Sequence, residues 1–217
     1  MRKDVRLVRL SSSHKQFLLR ATQQYANKVQ LAEEYLAQRS LSVEEASIFH
    51  LGVVDEPLPG HEQYKGRLSI PYITPSGVVD IRFRSMHGED PKYMGLIGAK
   101  TTMFNTQACF VADKYICVTE GEFDCIIMSV KTMHPTIGIP GANNWKSHYT
   151  RILDDFDIVI VLADGDAAGQ EFGKKISREL PNVNIISMPE GEDVNSIVTK
   201  LGSNWIDERI RECITVG

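Results

Sequence analysis

The chain has 217 residues, 42% of them hydrophobic and 24% charged, an ordinary balance for a globular protein large enough to bury a core. No apolar run approaches the roughly 18 residues that a membrane-spanning helix needs, so no membrane partner is expected. The net charge of −4 is unevenly spread: residues 1–100 carry 14 Lys and Arg against 11 Asp and Glu, whereas residues 101–217 carry 10 against 17. That asymmetry suits one half that meets phosphates and another that holds cations.

The opening, MRKDVRLVRLSSSHK, is basic but lacks the apolar centre of a signal peptide, so a cytoplasmic location is expected. From Ser13 to Arg39 apolar residues recur at three- and four-residue steps, which predicts helix. Ser42, followed three residues later by Glu45, has the form of a capping box opening a short helix that runs to about His50. Two prolines in Asp55–Gly60 break regular structure.

Residues 67–86 have the pattern of a β-hairpin, RLSIPYI and VVDIRFRSM joined by the turn Thr74-Pro-Ser-Gly77. Alternation places Val79, Ile81 and Phe83 on one face of the second strand, and Asp80, Arg82 and Arg84 on the other. The Gly-rich segment His87–Thr102 is expected to be irregular. After Lys114 come YICVT, TIGI, DIVIVLA and NVNIISM, unbroken apolar runs of the kind found in parallel strands buried on both faces. Strand–helix alternation there argues for an α/β layer. A boundary is expected near residue 112, with a mixed α+β subdomain over 1–112 and a compact α/β domain over 113–217.

Cysteines 109, 117, 125 and 213 form no C-x-x-C pair, and no His lies at finger-like spacing, so a zinc site is not expected. Three of the four sit in apolar company, which suits reduced core thiols.

In open parallel sheets function gathers beyond the strand C-termini. Here YICVT runs into Glu120-Gly-Glu-Phe-Asp124, DIVIVLA into Asp164-Gly-Asp166, and NVNIISM into a stretch containing Glu190, Glu192 and Asp193. Each piece also fits a plain turn or a helix cap. Acid after three successive strands is a stronger pattern, because like charges gathered at one sheet edge require a cation. All-oxygen donors favour Mg²⁺, or Mn²⁺ in its place.

The order Glu-Gly-x-x-Asp, then Asp-x-Asp, resembles the Toprim signature. VTEGEFDCIIM, VLADGDAAGQEFGKKI and PEGEDVNSIV look like the bacterial DnaG-type primases and their phage relatives, and so do YLAQRSLSVEEASIFHLGVV, KGRLSIPYITPSGVVDIRFRSM and PKYMG upstream. The likeness spans about residues 31–202. It implies a Toprim domain, a parallel sheet flanked by helices, preceded by the smaller α+β subdomain. It also implies primer synthesis from NTPs on a single-stranded DNA template. Glu120, Asp164 and Asp166 would be catalytic, and Asp124 and Asp193 would join them around the metal. Glu120 would act as metal ligand or as general base. Lys65, Arg67, Arg84 and Lys92 would meet template and nucleotide phosphates.

Two departures bear on the resemblance. Asn195 stands where many such primases carry Asp. No zinc ribbon precedes the core and no helicase-binding domain follows it, so a separate zinc-ribbon primase subunit and a replicative helicase are the expected partners. A Toprim nuclease and a non-catalytic DNA-binding scaffold remain alternatives.

Overall fold

The computed structural model describes residues 10–216; the basic stretch 1–9 lies outside them. Helix α1 spans Ser12–Ala26, its N-terminus capped by Ser11, whose Oγ accepts from the His14 N–H. The single helix expected over Ser13–Arg39 is broken into α1, a 3₁₀ turn over Val29–Ala32, and α2 at Glu33–Ala37. The break falls where strand β1, Gly52–Val53, seats against the last turn of α1. A Cβ on Gly52 would lie 2.1 Å from the carbonyl carbon of Tyr25, so only glycine permits that approach.

Helix α3, Val43–Ile48, opens on the predicted capping box: Ser42 Oγ accepts from the Glu45 N–H, and Glu45 Oε2 accepts from the Ser42 N–H at 2.8 Å. Strands β2 (Leu68–Thr74) and β3 (Gly77–Arg84) form the hairpin, and β4 (Tyr93–Gly95) pairs with β3 inside the segment expected to be irregular. The first sheet runs β1-β2-β3-β4, antiparallel throughout.

The expected facing of the β3 residues needs correcting. A register shift opposite Tyr72 and Ile73 leaves Val79 without a cross-strand partner. Val78, not Val79, therefore joins Ile81 and Phe83 against α1, while Val79 packs toward the other side.

Short helix α4 (Ala108–Val111) leads into β5 (Tyr115–Thr119), and α5 (Glu122–Ile127) continues as a π turn to Thr132. Then follow β6 (Thr136–Gly138), α6 (Thr150–Leu153), β7 (Ile158–Ala163), α7 (Ala167–Glu179), β8 (Val183–Ser187), α8 (Val194–Leu201) and α9 (Asn204–Val216). The second sheet is all parallel in the order β6-β5-β7-β8. The central strands β5 and β7 are buried along almost their whole length, as their apolar runs predict. Strand β8 is the exception: it lies at the sheet edge, with Ile186 alone among its residues buried.

One apolar cluster joins the two sheets. Tyr35 and Leu36 from α2, with Ile70 and Tyr72 from β2, pack with Phe123 and Ile127 from α5 and Ile197 from α8. Each fully buried side chain of this size contributes about 1.5–3 kcal/mol. Cys117 and Cys125 are free, buried thiols, and burial pushes both well above the usual thiol range.

Candidate functional site

The acids expected at the strand ends lie together at the C-terminal edge of the parallel sheet. Glu120 leaves β5 and Asp164 leaves β7, and the two ends are tied: Glu120 Oε1 accepts from the Asp164 N–H at 3.1 Å. Two glycines make the fit possible. A Cβ on Gly165 would stand 1.8 Å from the Pro189 carbonyl oxygen. One on Gly169 would stand 2.3 Å from the Asp164 carbonyl oxygen and 2.7 Å from Glu120 Oε1. Their smallness serves close approach of the protein's own backbone at this edge.

Asp166 and Asp193 each cap a helix. Asp166 Oδ1 accepts from the Gly169 N–H at 2.7 Å at the start of α7. Asp193 Oδ1 accepts from the Ser196 N–H at 2.7 Å at the start of α8, completing a capping box. Asp124, in the first turn of α5, is buried and accepts the Asn195 N–H on Oδ1 at 3.1 Å.

The electrostatics are those of crowded carboxylates. Burial, and then repulsion from Asp124, Glu120, Asp193 and Asp166, raises the Asp164 carboxyl to about 8. Burial, and then Asp193, raises Asp124 to about 7, against the opposing pull of the Asn195 N–H and Arg84. Glu120 is raised by burial and by Asp166. Asp164 Oδ1 is buried with no hydrogen-bond partner.

Such an oxygen-only set, with an unpartnered buried carboxylate oxygen at its centre, fits a hard divalent cation. Among the described residues no three His, Cys, Asp or Glu side chains already converge as an ion cage. Asp166 and Asp193 each commit an oxygen to a helix cap.

A cleft of about 620 Å³ opens beside these acids. Glu120, Asp124, Asp164 and Asp193 line it together with Arg39, Arg82, Arg84 and Lys92. The Arg84 guanidinium lies 4.5 Å from the Phe123 ring centre and 5.0 Å from that of Tyr93, and it donates to the Tyr93 hydroxyl. Lys92 is exposed at the rim. Lys65 is exposed after the 3₁₀ turn Glu62–Tyr64, and Arg67 is buried, donating to the Pro91 carbonyl at 2.8 Å. Of the four cations named from sequence, Arg84 and Lys92 line the cleft; Lys65 and Arg67 do not.

Sequence reasoning did not single out Arg39, Arg82 or Glu122 as site residues. Glu122 is almost fully buried, and its Oε1 accepts from Arg82 at 2.6 Å and from the Tyr72 hydroxyl at 2.7 Å. This clasp fastens the hairpin to α5 at the cleft and holds Arg82 over the Tyr93 ring, 4.4 Å from its centre. The alternation that puts Arg82 beside Arg84 was the available signal for that residue. Arg39 is held both locally, its guanidinium donating to the Tyr35 carbonyl at 3.2 Å, and from α8, where Asn195 donates to the Arg39 carbonyl.

Comparison with known proteins agrees with this architecture. A family described as Toprim-like matches residues 117–198. The Gene 57 protein of Mycobacterium phage D29 is 43% identical over 152 residues, 68% of this chain and 99% of the phage protein. A DNA primase of Buchnera aphidicola is 25% identical over 174 residues, 72% of this chain but 30% of that protein. A solved DNA primase domain from Pseudomonas aeruginosa superposes with a TM-score of 0.76 at 20% identity, covering 91% of this chain and 78% of that one. The chain belongs to the family of the D29 protein, and it carries a Toprim domain within the fold of the DnaG-type primase catalytic cores.

Proposed function

We propose that the chain is the catalytic core of a DNA primase, joining ribonucleotides into short RNA primers on single-stranded DNA. The observation that carries this reading is the cleft itself: mutually repelling carboxylates at strand ends share it with three arginines and a lysine. Such a cavity suits a substrate that is both polyanionic and delivered with cations.

In this reading Glu120, Asp124, Asp164 and Asp166 hold divalent metal, Mg²⁺ or Mn²⁺, with Asp193 in support. A bound ion of that kind neutralises charge on the reacting phosphoryl oxygens. Arg84 and Lys92 grip the triphosphate from the opposite side, and Glu120 either shares the metal or takes the proton of the attacking 3′ hydroxyl. Alignment does most of the work, since phosphoryl transfer asks little covalent chemistry of the protein. Lys65, exposed outside the cleft, is assigned to the template path, and Arg67, buried beside it, to supporting that path through the Pro91 carbonyl. A separate zinc-ribbon subunit and a replicative helicase are the proposed protein partners. Cytoplasmic action is part of the same proposal; among the described residues no helix is long and apolar enough to cross a membrane.

The test is primer synthesis from NTPs on single-stranded DNA with Mg²⁺ or Mn²⁺, with and without a supplied zinc-ribbon partner. RNA product that disappears in Asp164→Ala supports the reading. Failure under every condition, or hydrolysis of the DNA instead, overturns it.

A further inference from the structure

Asn195 stands among acids at the cleft, as the second residue of α8, yet both of its nitrogens are committed elsewhere. Its backbone N–H donates to Asp124 Oδ1 at 3.1 Å, and its side-chain Nδ2 donates to the carbonyl oxygen of Arg39 at 2.8 Å, across 156 residues of sequence. One helical turn further on, Thr199 Oγ1 accepts from Ser40 Oγ at 3.0 Å and donates in turn to the Asn195 carbonyl at 2.8 Å. Residues four apart share a helix face, so α8 grips the Arg39-Ser40 turn at two points.

That turn closes α2. Ser40 has φ of 57°, the left-handed region that side-chain-bearing residues avoid. The end of α2 holds that conformation itself, the Ser40 N–H donating to the Ala37 carbonyl and the Leu41 N–H to the Leu36 carbonyl, both at 3.0 Å, and the contacts from α8 add to these. Their effect falls on the residue just before. The Arg39 guanidinium, which donates to the Tyr35 carbonyl at 3.2 Å, lies 3.8 Å from the Tyr35 ring centre and 5.6 Å from that of Phe123, and Arg39 lines the cleft. Arg84 approaches the same two rings at 6.0 and 4.5 Å.

We propose that Asn195 is a positioning residue: through Nδ2 it fixes the Arg39 backbone so that Arg39 and Arg84 form one preset anion clamp for the incoming nucleoside triphosphate. The inference rests on the primase reading for its substrate. An amide is required because the Arg39 carbonyl needs a donor. Aspartate in its place would have none to offer, and would set a carboxylate against that carbonyl oxygen.

The experiment measures binding of a fluorescent ATP analogue in EDTA, together with the KM and kcat of primer synthesis, for the full chain. Asn195→Ala is expected to weaken nucleotide binding and raise KM about three- to tenfold, the loss of roughly one hydrogen bond, with kcat little changed. Asn195→Asp should be at least as impaired. In an Arg39→Ala background the further change Asn195→Ala should alter binding less than twofold, because the group it positions is gone. Ser40→Gly, which relieves the strained turn, should partly rescue Asn195→Ala. Independent, additive effects of Asn195→Ala and Arg39→Ala overturn the proposal, as does an Asn195→Asp variant with unchanged or improved activity. A wild-type chain that binds nucleotide but makes no primer, with or without a supplied zinc-ribbon partner, sinks the primase reading while the double-mutant comparison still decides the clamp. A wild-type chain that binds no nucleotide overturns the clamp directly.

Discussion

Replacing Asp164 by Asn is expected to make the metal-free protein more stable while abolishing primer synthesis. In the fold the carboxyl sits at about 8, against an ordinary 3.8, because it is buried among Asp124, Glu120, Asp193 and Asp166. A raised carboxyl costs stability above its unfolded value, and the cost grows with pH until the folded value is passed. At pH 7 the difference corresponds to about 4 kcal/mol. Asp164 keeps partial contact with solvent, whose screening reduces this to about 2 kcal/mol. The asparagine carries no charge, and it offers donors to the carboxylates around it. For a chain of this length the gain corresponds to a rise of about 4–8 °C in Tm. Thermal unfolding in EDTA at pH 7 and at pH 5 measures it. The gain at pH 5 should be less than half as large, since the wild-type ionisation cost is then small. Adding Mg²⁺ should raise the wild-type Tm and narrow the gap. No gain at pH 7, or the same gain at both pH values, would refute the picture of crowded, unneutralised carboxylates.

Glu122→Gln removes the charged partner of Arg82 in a nearly sealed site and should cost about 3 kcal/mol in urea unfolding. Tyr72→Phe loses one hydrogen bond to the same carboxylate and should cost about 1 kcal/mol. Gly169→Ala would press a methyl group into the Asp164 backbone and Glu120 Oε1, and should cost about 2–3 kcal/mol in the same assay. Asp166→Asn keeps an acceptor for the Gly169 N–H, so its Tm should stay near wild type while primer synthesis is lost. An active Asn variant would reduce Asp166 to a helix cap.

The features legible in the sequence are those with short-range causes. Ser42 and Glu45 meet within one helical turn, Thr74–Gly77 closes its own hairpin, and β5 and β7 are written as unbroken apolar runs. The acids at the strand ends were legible because topology alone puts consecutive parallel strand ends on one edge. What was not legible depends on distant partners. The end of α1 is set by Gly52, which lies beyond two further helices in the chain. The exposure of β8 is not announced by its apolar run, nor set by edge position alone, since β6 at the other edge is buried, and Val79 is displaced by a register shift that its own alternation does not announce. The Arg39 backbone and the Arg82 guanidinium meet Asn195 and Glu122, contacts that span 156 and 40 residues.

The apolar cluster shared by the two sheets acts as a spacer. The basic hairpin and the acidic edge are not two jaws on a hinge; Ile70 and Tyr72 behind one wall and Phe123 and Ile127 behind the other belong to the same packed interior. The width of the gap between cation and carboxylate is therefore written in methyl groups and aromatic rings that never meet a substrate. Evolution can retune that gauge by repacking uncharged residues while every charged group in the cleft keeps its identity.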